Sequence, residues 1–92
     1  MNAKHAVVIT FSFDPSVNVL LFEDRENAIE FIKNDSKSEY DIDVNENKWG
    51  DLTEYIVESD GEYAKLINHF PTGDDVTEWR LGDVYDAEEE QS

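Results

Sequence analysis

Between Asp43 and Glu54, five side chains fall at the oxygen-ligand positions of a calcium-binding EF-hand loop: Asp43, Asn45, Asn47, Asp51 and Glu54, at positions one, three, five, nine and twelve. Calcium takes carboxylate and amide oxygens, so every one of the five suits it. Two features oppose the reading. The sixth position, where a sharp turn needs glycine, is Lys48, and Glu54 falls in a segment that reads as a strand and not as an exiting helix. Asp74 and Asp75 beside Gly73 suit a turn better than a ligand set. Neither a specific metal site nor a cofactor is expected. Hydrolytic chemistry has thinner support: His5 and His69 are the two histidines, there is no cysteine, and no Gly-x-Ser-x-Gly element accompanies them. The glycines at 50, 61, 73 and 82 are isolated, so no phosphate-cradling loop is present. Both histidines read as surface residues, and the chain reads as no enzyme.

The stronger signal is charge. Twenty-three acidic side chains oppose 7 basic ones in 92 residues, a formal net charge of −16, and only Asp86, Glu88, Glu89 and Glu90 of the acids lie beyond Tyr85. Like charge at that density opposes compaction, and it exceeds the magnitude of about 2 to 8 that keeps a small domain soluble. From Glu39 to Glu62, the acids Glu39, Asp41, Asp43, Glu46, Asp51, Glu54, Glu58, Asp60 and Glu62 are opposed only by Lys48. Placed on a strand, Asp41 and Asp43 repeat about every 6.8 Å, near twice the roughly 3.4 Å rise per phosphate along one DNA strand. Tyr40, Trp49, Tyr55 and Tyr63 stand among these acids, and aromatic anchors within a charged rim are what protein interfaces use. The expected partner-binding residues are therefore Tyr40, Asp41, Asp43, Glu46, Trp49, Glu54, Glu58 and Tyr63.

Such a surface repels nucleic-acid phosphates and anionic membranes, so direct binding to either is not expected. It selects a basic protein, such as a nuclease or another nucleic-acid-binding enzyme. The leading expectation is a non-enzymatic acidic module that masks or inhibits that partner. In composition the chain is similar to DNA-mimicking proteins of phages and mobile elements, anti-CRISPR proteins among them, though it shares no motif with any one such family. An immunity protein against a basic nuclease toxin has the same physics. The alternative from a different class is a homodimeric structural or accessory protein whose acidity serves only solubility or salt tolerance. Ionic strength separates them: a salt-adapted fold melts in dilute buffer, whereas a decoy folds there and loses its partner as salt rises. Without cysteine there are no disulfides, and Met1 to Phe13 resembles neither a signal peptide nor a membrane span, so a cytoplasmic address is expected.

One core must position all of this, because so short a chain cannot bury two. The apolar fraction of 39%, with five Phe, four Tyr and two Trp, is rich enough for that core despite the charge. Val7, Ile9, Phe11 and Phe13 alternate with smaller or polar residues, which predicts a strand over Ala6 to Phe13. Asp14-Pro15-Ser16 predicts a turn and Val17 to Phe22 an antiparallel strand. Asp24 reads as a helix N-cap, with Ala28, Ile29, Phe31 and Ile32 at helical spacing up to about Asp35. Tyr40, Ile42 and Val44 alternate with Asp41, Asp43 and Asn45 and predict a short edge strand. Thr53 to Ser59 and Glu62 to Phe70 form a hairpin about Asp60-Gly61, in a turn whose two central residues need positive φ. Its register puts Val57 opposite Ala64 and Tyr55 opposite Leu66 on the core face. Pro71 to Asp75 turns the chain into a last strand, Val76 to Tyr85, with Trp79 and Leu81 on one side. The expected fold is α+β: a single antiparallel sheet of four to five strands with one helix packed on one face, ββα followed by a β-meander. Residues 1–85 form this domain and the acidic residues 86–92 a disordered tail. One helix leaves the other sheet face uncovered, which suits a homodimer or a protein partner.

Overall fold

The alternation around Val7 and Ile9 does produce a strand, and it lies inside a five-stranded antiparallel sheet. The structure, a computed structural model, describes residues 3–46 and 52–85. Its elements run β1 (His5–Phe11), β2 (Asp14–Phe22), α1 (Arg25–Glu46), β3 (Thr53–Val57), β4 (Tyr63–Phe70) and β5 (Gly73–Asp83). The order across the sheet is β2-β1-β5-β4-β3. The meander β3-β4-β5 therefore closes onto the N-terminal hairpin through β5 and β1, and β2 and β3 are the edges. The fold class is as expected: α+β, ββα then a meander, with α1 against one face.

Opposed residues across an antiparallel pair share a face, so the register names both faces. Val7 sits between Leu20 and Leu81, and Ile9 between Asn18 and Trp79. Trp79 continues to Ala64 and then Val57. These residues face α1. Val7, Ile9, Ala64, Leu66 and Trp79 join Ala28 and Ile32 of α1 in the buried core, with Phe22, Phe31, Tyr40 and Tyr55 packed at its border. Asp24 stands just ahead of α1, and its carbonyl accepts the Ala28 N–H while its carboxylate accepts the Asn27 amide.

Four local expectations are corrected. First, Tyr40 to Asn45 is not an edge strand: α1 continues through it to Glu46. Tyr40 and Val44 fit a two-residue period, but they are also one helical turn apart and continue the inward stripe of Ala28, Ile32 and Ser36. Ile42 alone is left facing outward, 44% exposed. Ser36, small and fully buried, lets α1 lie close to the sheet; its hydroxyl donates to the Ile32 carbonyl and pairs with the Tyr55 hydroxyl at 2.7 Å. Tyr40 then stacks on Tyr55 with ring centroids 5.1 Å apart. The calcium-loop spacing is lost with the strand, since Asp43 and Asn45 lie in the helix; Asn47, Trp49 and Asp51 fall outside the described residues, as does 86–92.

Second, Asp14-Pro15-Ser16 belongs to β2, and the turn is at Ser12 and Phe13. Pro15 is tolerated because β2 is an edge strand, and the Asp14 carboxylate accepts the Ser16 N–H. Third, the β3–β4 hairpin has the expected register, Val57 opposite Ala64 and Tyr55 opposite Leu66, but a different turn. Of the two central residues Asp60 and Gly61, only Gly61 has positive φ, 77°. Its N–H donates to the Glu58 carbonyl, and the Asp60 carboxylate accepts the Glu62 N–H. Gly61 is buried against α1, where an added Cβ would stand 2.6 Å from Ile29 Cγ2. Fourth, Pro71 and Thr72 suffice for the last turn; Gly73 to Asp75 already pair with Phe70 to Asn68. Among the described residues no helix is long and apolar enough to cross a membrane.

Candidate functional site

With α1 continued to Glu46, Asp35, Glu39 and Asp43 form a row at i, i+4 and i+8. At roughly 1.5 Å per residue they recur about every 6 Å along the axis. They stand on the flank of α1 beside its buried stripe, above β1, β4 and β5. Asp75 of β5 faces them, and together these acids line an open cleft of about 380 Å³. Ile9, Phe11, Leu66, Thr77 and Trp79 supply its floor, with Phe13 and Asn18 at the β2 end. Phe13 leans on Phe11, ring centroids 5.5 Å apart, and is itself 58% exposed.

Two carboxylates of the row are anchored. The Trp79 indole N–H donates to Asp35 at 2.9 Å, and the Asn68 amide donates to Asp43 at 2.7 Å. Asn68 in turn accepts the Thr53 hydroxyl. Glu39, between them, has no hydrogen-bond partner among the described residues. Glu39 is exposed, yet the desolvation it meets beside the helix pushes its carboxyl above the usual range, and the like charges of Asp35 and Asp43 push the same way. The cleft therefore holds a carboxylate that would gain from a cation, with Phe11, Phe13 and Trp79 among the residues that line it. A guanidinium or ammonium fits that chemistry.

The residues singled out from sequence do not form one face. Asp41, Asp43 and Glu46 lie on the second half of α1; Asp41 is exposed and pairs with Lys37 at 2.6 Å. Asp41 and Asp43 do not repeat on one side, because residues two apart on a helix point roughly 200° apart. Tyr40 is turned inward onto Tyr55. Glu58 is exposed in the hairpin, where its backbone holds the turn. Glu54 and Tyr63 lie on the far side of the sheet, opposite in register to Ile67 and Arg80. There the Tyr63 hydroxyl donates to Glu78, whose carboxyl is held below its usual range by that bond first and by Arg80 and Lys65 after it. The Arg80 guanidinium lies 5.3 Å from the centroid of the Tyr63 ring.

Reading α1 as ending at Asp35 hid Glu39 and Asp75 as partners of Asp43. The i, i+4, i+8 spacing of the three acids was present in the sequence, but it carries meaning only on a helix. Phe13 was expected as the last residue of the first strand, but β1 ends at Phe11 and Phe13 lies in the β1–β2 turn at the end of the cleft.

His69 ties three strands together. His69 of β4 contacts Asp74 of β5 through Nδ1 and Glu54 of β3 through Nε2, each at 2.7 Å. The Glu54 bond, then the Asp74 bond, raises its pKa. When protonated it can donate to both neighbouring strands, β3 and β5. His5 lies 4.0 Å from Asp83. No group of three His, Cys, Asp or Glu side chains able to hold a metal ion occurs among the described residues. The chain matches no protein-family model, no curated protein and no solved structure.

Proposed function

We propose that this chain is a non-enzymatic acidic binding module that masks a basic, nucleic-acid-binding protein. The observation that carries the reading is the Asp35–Glu39–Asp43 row facing Asp75 across an aromatic-floored cleft, on a chain of net charge −16. The helix side meets the partner's basic groove, and an arginine or lysine of that groove enters the cleft and relieves the repulsion at Glu39. Asp41 and Glu46 extend the acidic surface along α1. Nucleic acid is displaced because its phosphates seek the same cations. Long-range attraction speeds encounter, and added salt weakens it. A cytoplasmic address belongs to this proposal, since nucleases and nucleic-acid enzymes of that kind work there.

The test is titration calorimetry against basic nucleases and DNA-binding enzymes over a range of salt. Affinity should fall steeply with salt, and the triple variant Asp35→Asn, Glu39→Gln, Asp43→Asn should lose at least about tenfold in affinity while circular dichroism shows it still folded at the assay temperature. Absence of binding to every basic protein in dilute buffer overturns the proposal. Binding that the triple variant leaves untouched removes the cleft from it.

A further inference from the structure

The sheet face turned away from α1 differs from the rest of the molecule in charge. Its strand residues include the ionisable groups Glu54, Lys65, His69, Asp74, Glu78 and Arg80, three acids against two bases and one histidine. With His69 neutral that is −1, against −16 for the chain. The β1–β2 half of this face has no ionisable side chain, and it presents Val17 at 53%, Val19 at 57% and Leu21 at 48% exposure. At the opposite edge, Ile56 is 48% exposed. No other described element covers this face.

We propose that a second copy of this chain docks here, open face to open face, to give a two-fold β-sandwich with both helices outside. Two arguments select a copy of the chain as the occupant. One is electrostatic. Two strongly anionic bodies can approach only where their charge is nearly cancelled, and a face carrying Lys65 and Arg80 beside Glu54 and Glu78 offers both signs to its own image. A strongly charged partner of either sign finds no such match. The other is area. Five strands at a spacing of about 4.8 Å, each contributing about seven residues at roughly 3.4 Å, span roughly 570 Å² in projection. The corrugated accessible surface is larger, which brings it near the roughly 800 Å² per partner of a standard interface. Aligned sheets pack about 10 Å apart, and the contact is isologous, as closed dimers require. The dimer would turn its two carboxylate clefts outward in opposite directions. The inference stands independently of the masking proposal.

Sedimentation velocity on the full chain tests it. At about 0.2 mM, in moderate salt, the expected mass is twice the 10.6 kDa of one chain. Val19→Lys and Ile56→Lys, on opposite edges of the face, should each raise the dissociation constant at least about tenfold with unchanged circular dichroism. If Val19→Lys impairs folding, Val19→Thr, close to it in shape, takes its place. Added salt should tighten the dimer, because the two bodies repel, whereas it loosens a basic partner; the two proposals thus fail separately. A wild-type monomer at about 0.2 mM in high salt overturns the inference. So does a dimer that survives both substitutions, and so does one broken by Val19→Lys but not by Ile56→Lys, which would be edge pairing through β2.

Discussion

Replacing Gly61 by alanine tests how the hairpin is seated against the helix. Two costs add at this position. The backbone is left-handed, with φ of 77°, and a side chain there costs roughly 1–2 kcal/mol. The new methyl would also stand 2.6 Å from Ile29 Cγ2 and 2.8 Å from Lys33 Cε. Lys33 can swing aside. Ile29 cannot, because a β-branched side chain on a helix is confined to one rotamer, so α1 must shift, at about 1–3 kcal/mol for overpacking. The expected loss is about 2–5 kcal/mol, read from urea unfolding followed by circular dichroism. Two further glycines separate the costs. Gly73 has φ of 134° with nothing within 4 Å, so Gly73→Ala carries only the backbone cost; Gly82 has no positive φ and open space, so Gly82→Ala should be nearly neutral. If Gly61→Ala loses no more than Gly73→Ala, the close approach of hairpin and helix is refuted.

Trp79 is 1% exposed, so Trp79→Ala should cost about 3–5 kcal/mol in the same assay; Trp79→Phe should cost less, near the roughly 1.5–3 kcal/mol of a hydrogen bond to a charged group, here Asp35. Because the folded state raises the His69 pKa, its contribution is complete below about pH 6.5 and is lost as pH rises through the folded value. Ring-proton NMR should find its midpoint above the ordinary histidine value, with Glu54→Gln and Asp74→Asn each lowering it; a midpoint unmoved by both removes the clamp. Glu39→Gln should leave stability equal or slightly higher, by no more than about 0.5 kcal/mol, since it removes a repelled carboxylate, while weakening any basic partner. A clear loss of stability would show that Glu39 supports the fold.

Much of the scaffold is legible wherever one periodicity dominates. Val7 and Ile9 announce β1, and Asp60-Gly61 gives the β3–β4 register even though its turn is of another type, because the number of loop residues sets the pairing. The failure at Tyr40 to Asn45 has a definite cause. Positions four apart satisfy both a two-residue and a helical period, and in so polar a segment only Ile42 and the buried contact of Ser36 with Tyr55 distinguish them. The second of these is tertiary. The same ambiguity dispersed the candidate site: Glu54 and Tyr63 are near Asp43 in sequence but across the sheet from it, while Asp75, distant in sequence, faces the carboxylate row.

The pairing of β1 with β5 bears on how the molecule comes into being. His5 lies opposite Asp83 and Phe11 opposite Thr77, so a strand made among the first residues waits for one of its two neighbours until nearly all the described chain has been synthesised. Long-range pairing of this kind slows folding. It also makes the transition all-or-none: a nascent chain that stops after β4 lacks an interior strand, leaving the N-terminal hairpin and the β3–β4 hairpin with a gap between them. Each hairpin alone is marginal in water, so neither half should persist as a folded fragment, and the core closes only once β5 has slotted between β1 and β4.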